Sequence, residues 1–104
     1  MKTITYTKKD IVRRTSSIID ISQDEIKIIL DSIIDTMRDI FMEKQSHLRI
    51  EIRNFGVFEI KPVKAKPYAR NPKTNEVFHV PKHRKISFKP GKNIKSELMK
   101  EWKI

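Results

Sequence analysis

The sequence predicts an α+β fold: a helical base, a three-stranded antiparallel sheet and one long two-stranded β-ribbon. Three observations predict it. An apolar period of 3.6 residues dominates the first half of the chain and gives way at Leu48 to a period of two. All five prolines fall between residues 61 and 92, in a stretch that also holds most of the net charge. At 104 residues the chain makes one small domain, below the size at which chains split.

The elements follow in order. Residues 1–6 read as an extension. Thr7 followed by Asp10 has capping-box spacing, so a helix starts at Lys8 and runs to about Ser17, with Ile11 and Val12 leading its apolar side. Ser22 with Glu25 is a second capping box, and a long helix is expected to about Lys44. Ile26, Ile29, Leu30, Ile33, Ile34, Met37, Ile40 and Phe41 fall in an arc of about 140° on that helix. Asp31, Asp35, Asp39 and Glu43 form a solvated acidic row opposite, which would also turn phosphates away. Ile28 interrupts the acidic side and is taken as a scattered surface apolar residue.

Leu48, Ile50 and Ile52 alternate with Arg49, Glu51 and Arg53, which is a half-buried strand. Asn54-Phe-Gly56 supplies a turn, and Val57–Ile60 returns as the second strand. The long helix offers the layer such a hairpin needs. Residues 61–82 are too long for a structureless excursion in so small a domain. Val77, Phe78 and Val80 favour strand, and Asn71-Pro-Lys-Thr-Asn75 is a turn cluster, so the segment reads as a ribbon with its tip at Asn71–Pro72. Pro62, Pro67 and Pro81 cannot donate to a ladder, which suits an exposed ribbon. Arg84–Lys89 is a third strand, Pro90-Gly91 punctuates, and a last helix is expected over Lys92–Lys103, with Ile94, Leu98 and Trp102 as its stripe.

Charge is unevenly placed. The whole chain carries 23 basic and 13 acidic side chains, a net +10. Residues 1–60 hold ten of each, whereas residues 61–92 hold ten bases against Glu76 alone. A neutral body therefore carries a cationic arm, which points to a polyanionic partner. The ribbon has little body to pack on, so about 80 residues must build the core. We expect that core to close across two subunits.

Other chemistries are excluded by composition. Zero cysteines remove disulfides and thiolate metal sites. No apolar run reaches the roughly 18 residues of a membrane span, and no signal-peptide core is present, so a soluble, cytoplasmic setting is expected. His79 and His83 lie about 13 Å apart on a strand, too far to share a metal, and His47 is remote. With two glycines in all there is no Gly-rich phosphate loop, and no nucleophile elbow occurs. No catalytic residues, cofactor, metal or small-molecule substrate are expected, and the chain is not read as an enzyme.

The segments Asn54-Phe-Gly-Val-Phe-Glu-Ile60, Ala69-Arg-Asn-Pro-Lys-Thr74 and Phe88-Lys-Pro-Gly-Lys92 resemble the bacterial HU/IHF family of histone-like DNA-bending proteins. The resemblance spans about residues 7–103. It implies an intertwined dimer with a helical base, a three-stranded saddle and paired β-ribbon arms that embrace double-stranded DNA. On that reading residues 1–6 are an extension and 7–104 one domain, with a dimerisation body at 7–60 and 83–104 and an arm at 61–82. Pro72 matches the proline that wedges between base pairs, and Arg70 and Asn71 match its minor-groove neighbours. Phe88 matches a core aromatic, and Lys89 and Lys92 match bases near phosphates. A nucleoid-associated protein is implied, most simply a homodimer, with a heterodimer with a paralogue as the alternative.

Three departures from the family pattern stand out. Asn75 replaces a usual glycine, and asparagine tolerates positive φ. Asp20 stands where glycine commonly ends the first helix. Lys66-Pro-Tyr68 in the upper arm does not follow the common pattern.

The residues themselves explain how such an arm would act. A ribbon can follow the roughly 6 Å minor groove that a helix cannot enter comfortably. Lys61, Lys64, Lys66, Arg70, Lys73 and Lys82 would neutralise phosphates along the arm, so affinity should fall steeply with salt. Pro72 has no N–H to leave unsatisfied between bases, and such wedges kink the duplex. Arg84, Lys85, Lys89, Lys92 and the N-terminus of the last helix would meet the bent duplex along the body. The rival readings are an RNA- or ribosome-associated basic domain and a scaffold for acidic proteins.

Overall fold

The computed structural model describes residues 2–102, and of residues 67–69 the backbone alone. The order is α1 (Lys8–Ile18), α2 (Gln23–Phe41), β1 (Leu48–Ile52), β2 (Gly56–Val63), β3 (Lys66–Arg70), β4 (Val77–Val80), β5 (His83–Pro90) and α3 (Lys92–Leu98). The chain forms two units, one ending at Glu43 and the other starting at Lys44.

Both helices of the first unit begin where their caps predict. The Asp10 carboxylate accepts from the Thr7 backbone N–H at 2.9 Å and from its hydroxyl at 3.1 Å. Those bonds hold the Asp10 carboxyl below the usual carboxylate range. The Ser22 hydroxyl accepts from the Glu25 N–H at 3.3 Å. No residue between α1 and α2 takes a positive φ, so Asp20 fits without the glycine the family favours.

The acidic row is only partly solvated. Asp31 takes Lys8 of α1 at 2.7 Å and Lys27 at 3.2 Å, and both bonds lower its pKa. Tyr6, on the extension, lies under the Arg14 guanidinium at 4.8 Å. Val12 and Ile26 are the buried hydrophobic residues of this unit. Ile28 does not stand alone: with Ile29, Ser32, Ile33, Thr36 and Met37 it lines an open apolar groove along α2.

Two helix ends fall short of expectation. At the end of α2, Met42 N–H donates to Arg38 O at 3.0 Å and Glu43 N–H to Ile40 O at 3.2 Å. The last turn tightens and the helix stops at Phe41, with neither Gly nor Pro to announce it. α3 stops at Leu98, itself 73% exposed, and Trp102 lies beyond it, 84% exposed. Lys103, the expected end, lies outside the described residues.

The second unit is built on a three-stranded antiparallel sheet in the order β1-β2-β5. Its register runs from Gly56–Pro90 through Phe58–Phe88 to Val63–His83, and Ile50 faces Phe58 across β1. Alternation sorts the sheet into two faces. Leu48, Ile50, Ile52, Phe58, Ile60, Ile86 and Phe88 share one; Arg49, Glu51, Glu59, Lys61, Lys85 and Lys89 share the other. Pro62 lies beyond the last β1–β2 pair, Leu48–Ile60, where an open strand edge tolerates a proline.

The Asn54-Phe-Gly56 turn divides its labour in a way the sequence did not suggest. Asn54, with φ 66°, takes the left-handed position, and neither described glycine has positive φ. Gly56 is needed for space: a Cβ there would sit 2.5 Å from the Lys89 carbonyl oxygen and 2.6 Å from the Phe88 ring. Phe88 packs against Phe58 at 4.8 Å and Phe55 at 5.4 Å, and the Gly91 N–H donates to Phe55 O at 2.7 Å. The first and last resemblance segments thus form one knot of structure.

Candidate nucleic-acid interface

The basic ribbon rises from this sheet. The β2–β5 ladder ends at Val63–His83, and a separate ladder pairs β3 with β4 through Lys66–Val80, Ala69–Phe78 and Arg70–Val77. The register shifts between Lys66 and Ala69, the interval that contains Pro67.

Local hydrogen bonds close the tip. Asn71 N–H donates to Glu76 O at 2.8 Å, and Asn75 N–H donates back to Asn71 O at 2.7 Å. The Asn71 side-chain oxygen accepts from the Lys73 N–H at 3.0 Å, an Asx turn that spans Pro72. Asn75 takes φ 61°, so asparagine does fill the position where the family has glycine. Pro72 is exposed at the apex between exposed Arg70 and Lys73, while Asn71 is half-buried. With its oxygen engaged, Asn71 keeps its amide N–H groups for outside acceptors.

The remaining candidate residues fall into four places. Lys64 and Lys66 are exposed on the rising limb. Lys61, Lys85 and Lys89 share the charged face of the sheet, with Lys61 directly across from Lys85. Lys82 and Arg84 instead line an open cleft of about 400 Å³ at the root of the ribbon, together with Lys44, Ser46, Pro62 and His83. There the Arg84 guanidinium donates to Gln45 O at 2.8 Å. Lys92 opens α3, whose seven residues give its N-terminus a weak dipole, so the exposed side chain is the stronger phosphate candidate.

Sequence reasoning missed Glu59 and His47. Glu59 is 7% exposed, the buried charged residue among those described. His47 Nε2 lies 2.9 Å from its Oε2, while Lys61 and Lys89 approach Oε1 at 3.3 and 3.7 Å. The His47 hydrogen bond, followed by Lys61 and Lys89, lowers the Glu59 pKa to about 2. The signal was present as a lone acid between Phe58 and Ile60 with a lysine two residues on.

A cationic ribbon on a three-stranded antiparallel sheet, preceded in the chain by two capped helices, defines a small α+β class of nucleic-acid binders. The chain belongs to the bacterial DNA-binding protein family of HU and integration host factor, whose model matches residues 6–99. Integration host factor subunit alpha of Haemophilus influenzae is 29% identical over 96 residues, covering 92% of this chain and 96% of that protein. The DNA-binding protein HU of Thermotoga maritima is 28% identical over 92 residues, covering 88% and 98%. A probable DNA-binding protein HU of Chlamydia trachomatis reaches 33% over 92 residues, 88% of each chain. Among solved structures, a cocrystal of Anabaena HU with DNA superposes with a TM-score of 0.76 over 92% of this chain and all of that one. At 23% identity that likeness establishes the fold. Among the described residues no helix is long and apolar enough to cross a membrane.

Proposed function

We propose that this chain is a non-enzymatic architectural protein of the bacterial chromosome that bends and compacts duplex DNA as a dimer. Each ribbon lies in the minor groove, and Pro72 wedges between base pairs. The observation that carries this reading is the tip: a rigid, exposed proline at the apex, held by the Asn71 side chain and flanked by Arg70 and Lys73. A side chain that must pry apart stacked bases, at a cost of a few kcal/mol per step, has to keep its shape under load. The Asx turn supplies that stiffness, and the bases along the arm supply the attraction. Membership of the family supports DNA as the polyanion.

Exposure supports the second copy. Ile28, Ile29 and Ile33 on α2 are 67%, 52% and 52% exposed, and Ile86 and Phe88 on the sheet are 55% and 42% exposed. Exposed apolar side chains clustered in this way, on each unit taken by itself, mark an interaction face. A second copy of the chain covering these faces completes a core that one chain leaves open.

The test separates bending from binding. Pro72→Ala should reduce the bend angle, read by energy transfer across an end-labelled duplex, while binding to an already kinked duplex stays within about threefold, as expected for a wedge that acts through deformation energy. Equal loss in both assays overturns the wedge.

A further inference from the structure

We propose that Glu59 is a positioning residue for DNA, holding Lys61 and Lys89 as internal ion pairs that phosphates must displace. The proposal rests on reading the charged face of the sheet as a DNA surface, and it adds a competitor built into that face.

A carboxylate buried to this degree stays charged only with partners. Glu59 has three, with His47 on one oxygen and the two lysines sharing the other. The other charges on the face are differently placed. Arg49 stands across the strand from Glu59, yet its guanidinium lies 3.2 Å from Glu51. Lys85 stands across from Lys61 and has no carboxylate partner among the described residues. Two cross-strand lysines repel. Glu59 offsets that repulsion for Lys61 and leaves Lys85 extended toward solvent.

The consequence is a difference in counterion release. When Lys85 meets a phosphate, about 0.9 of a bound cation is freed, with nothing to replace it. When Lys61 or Lys89 leaves Glu59 for a phosphate, one ion pair is exchanged for another. The abandoned carboxylate then recruits a cation from solution or leans further on His47. The clamped lysines should therefore add little to the salt dependence of binding, although they sit on the same face as Lys85.

The experiment measures the slope of log affinity against log salt for the full-length protein on a centrally kinked duplex. In the native background Lys85→Gln should flatten the slope by about 0.9, and Lys61→Gln by less than half as much. In a Glu59→Gln background Lys61→Gln should flatten it by the full amount. Equal flattening by Lys61→Gln and Lys85→Gln in the native background overturns the proposal, and that comparison does not require Glu59→Gln to fold. No change with Lys85→Gln, alongside a change with Lys64→Gln on the arm, also overturns it, because the sheet face then does not meet phosphates. A loss of packing at position 59 would not move these slopes selectively.

Discussion

In the sheet, β2 and β5 pair without interruption from Gly56–Pro90 to Val63–His83, and packing locks the turn beside them. There Phe55, Phe58 and Phe88 meet, and Gly56 is present because no Cβ fits. In the ribbon, the β3–β4 ladder is short and shifted in register, and polar bonds confined to residues 71–76 hold its tip. The two regions place their specificity in different interactions. The sheet is fixed by volume, so its sequence is constrained by what fits; the ribbon is fixed by local hydrogen bonding, so its charges are free to serve a partner. Substitutions should divide accordingly, with stability lost in one region and function lost in the other.

The sharpest break would come from Phe88→Ala, which should cost about 3 kcal/mol in chemical denaturation. Pro72→Ala should stay within about 0.5 kcal/mol of the native protein in the same assay. Comparable losses would erase the distinction between the regions. A second effect concerns the helical unit. Ile33→Asp, in the groove on α2, should weaken self-association at least about tenfold by sedimentation equilibrium, since burying an unpaired carboxylate exceeds the ~1.4 kcal/mol that factor represents. An unchanged association constant would place the second copy elsewhere.

A smaller effect follows from Glu59. Its folded pKa of about 2 lies below the ordinary value of 4.5, so its ion pairs stabilise the fold fully above the unfolded value and are lost as pH falls through the folded one. The melting temperature of the native protein should drop between about pH 4.5 and pH 2, and Glu59→Gln should flatten that drop. The same drop in both proteins would assign the acid sensitivity to other carboxylates, such as Asp10 and Asp31. Smallest of all, Lys64→Gln and Lys66→Gln should each flatten the salt slope of DNA binding by about 0.9 without moving the melting temperature.

Much of this was legible because it is local. The capping box at Thr7 and the N-cap at Ser22 mark helix starts, alternation from Leu48 marks a strand, and Asn-Pro between strand-like limbs marks a tip. The helix ends were less legible. The Ile94-Leu98-Trp102 spacing continues a helical stripe past Leu98, but a short helix persists only where its stripe is packed. The role of Gly56 was hidden too, since a glycine after Asn-Phe reads as a turn residue until β5 is seen against it. Glu59 was hidden for a related reason: its partners come from residues 47, 61 and 89, and only the register of three strands brings them together.

The central claim is that the ribbon tip works inside the minor groove. The chain has no cysteine, so Thr74→Cys provides a single attachment point beside Pro72 for an iron chelate that cleaves nearby sugars. Two confined clusters of cleavage per bound dimer, offset toward the 3′ side on opposing strands as minor-groove attack requires, are the predicted result. Cleavage offset toward the 5′ side, or spread evenly along the duplex, would contradict the account.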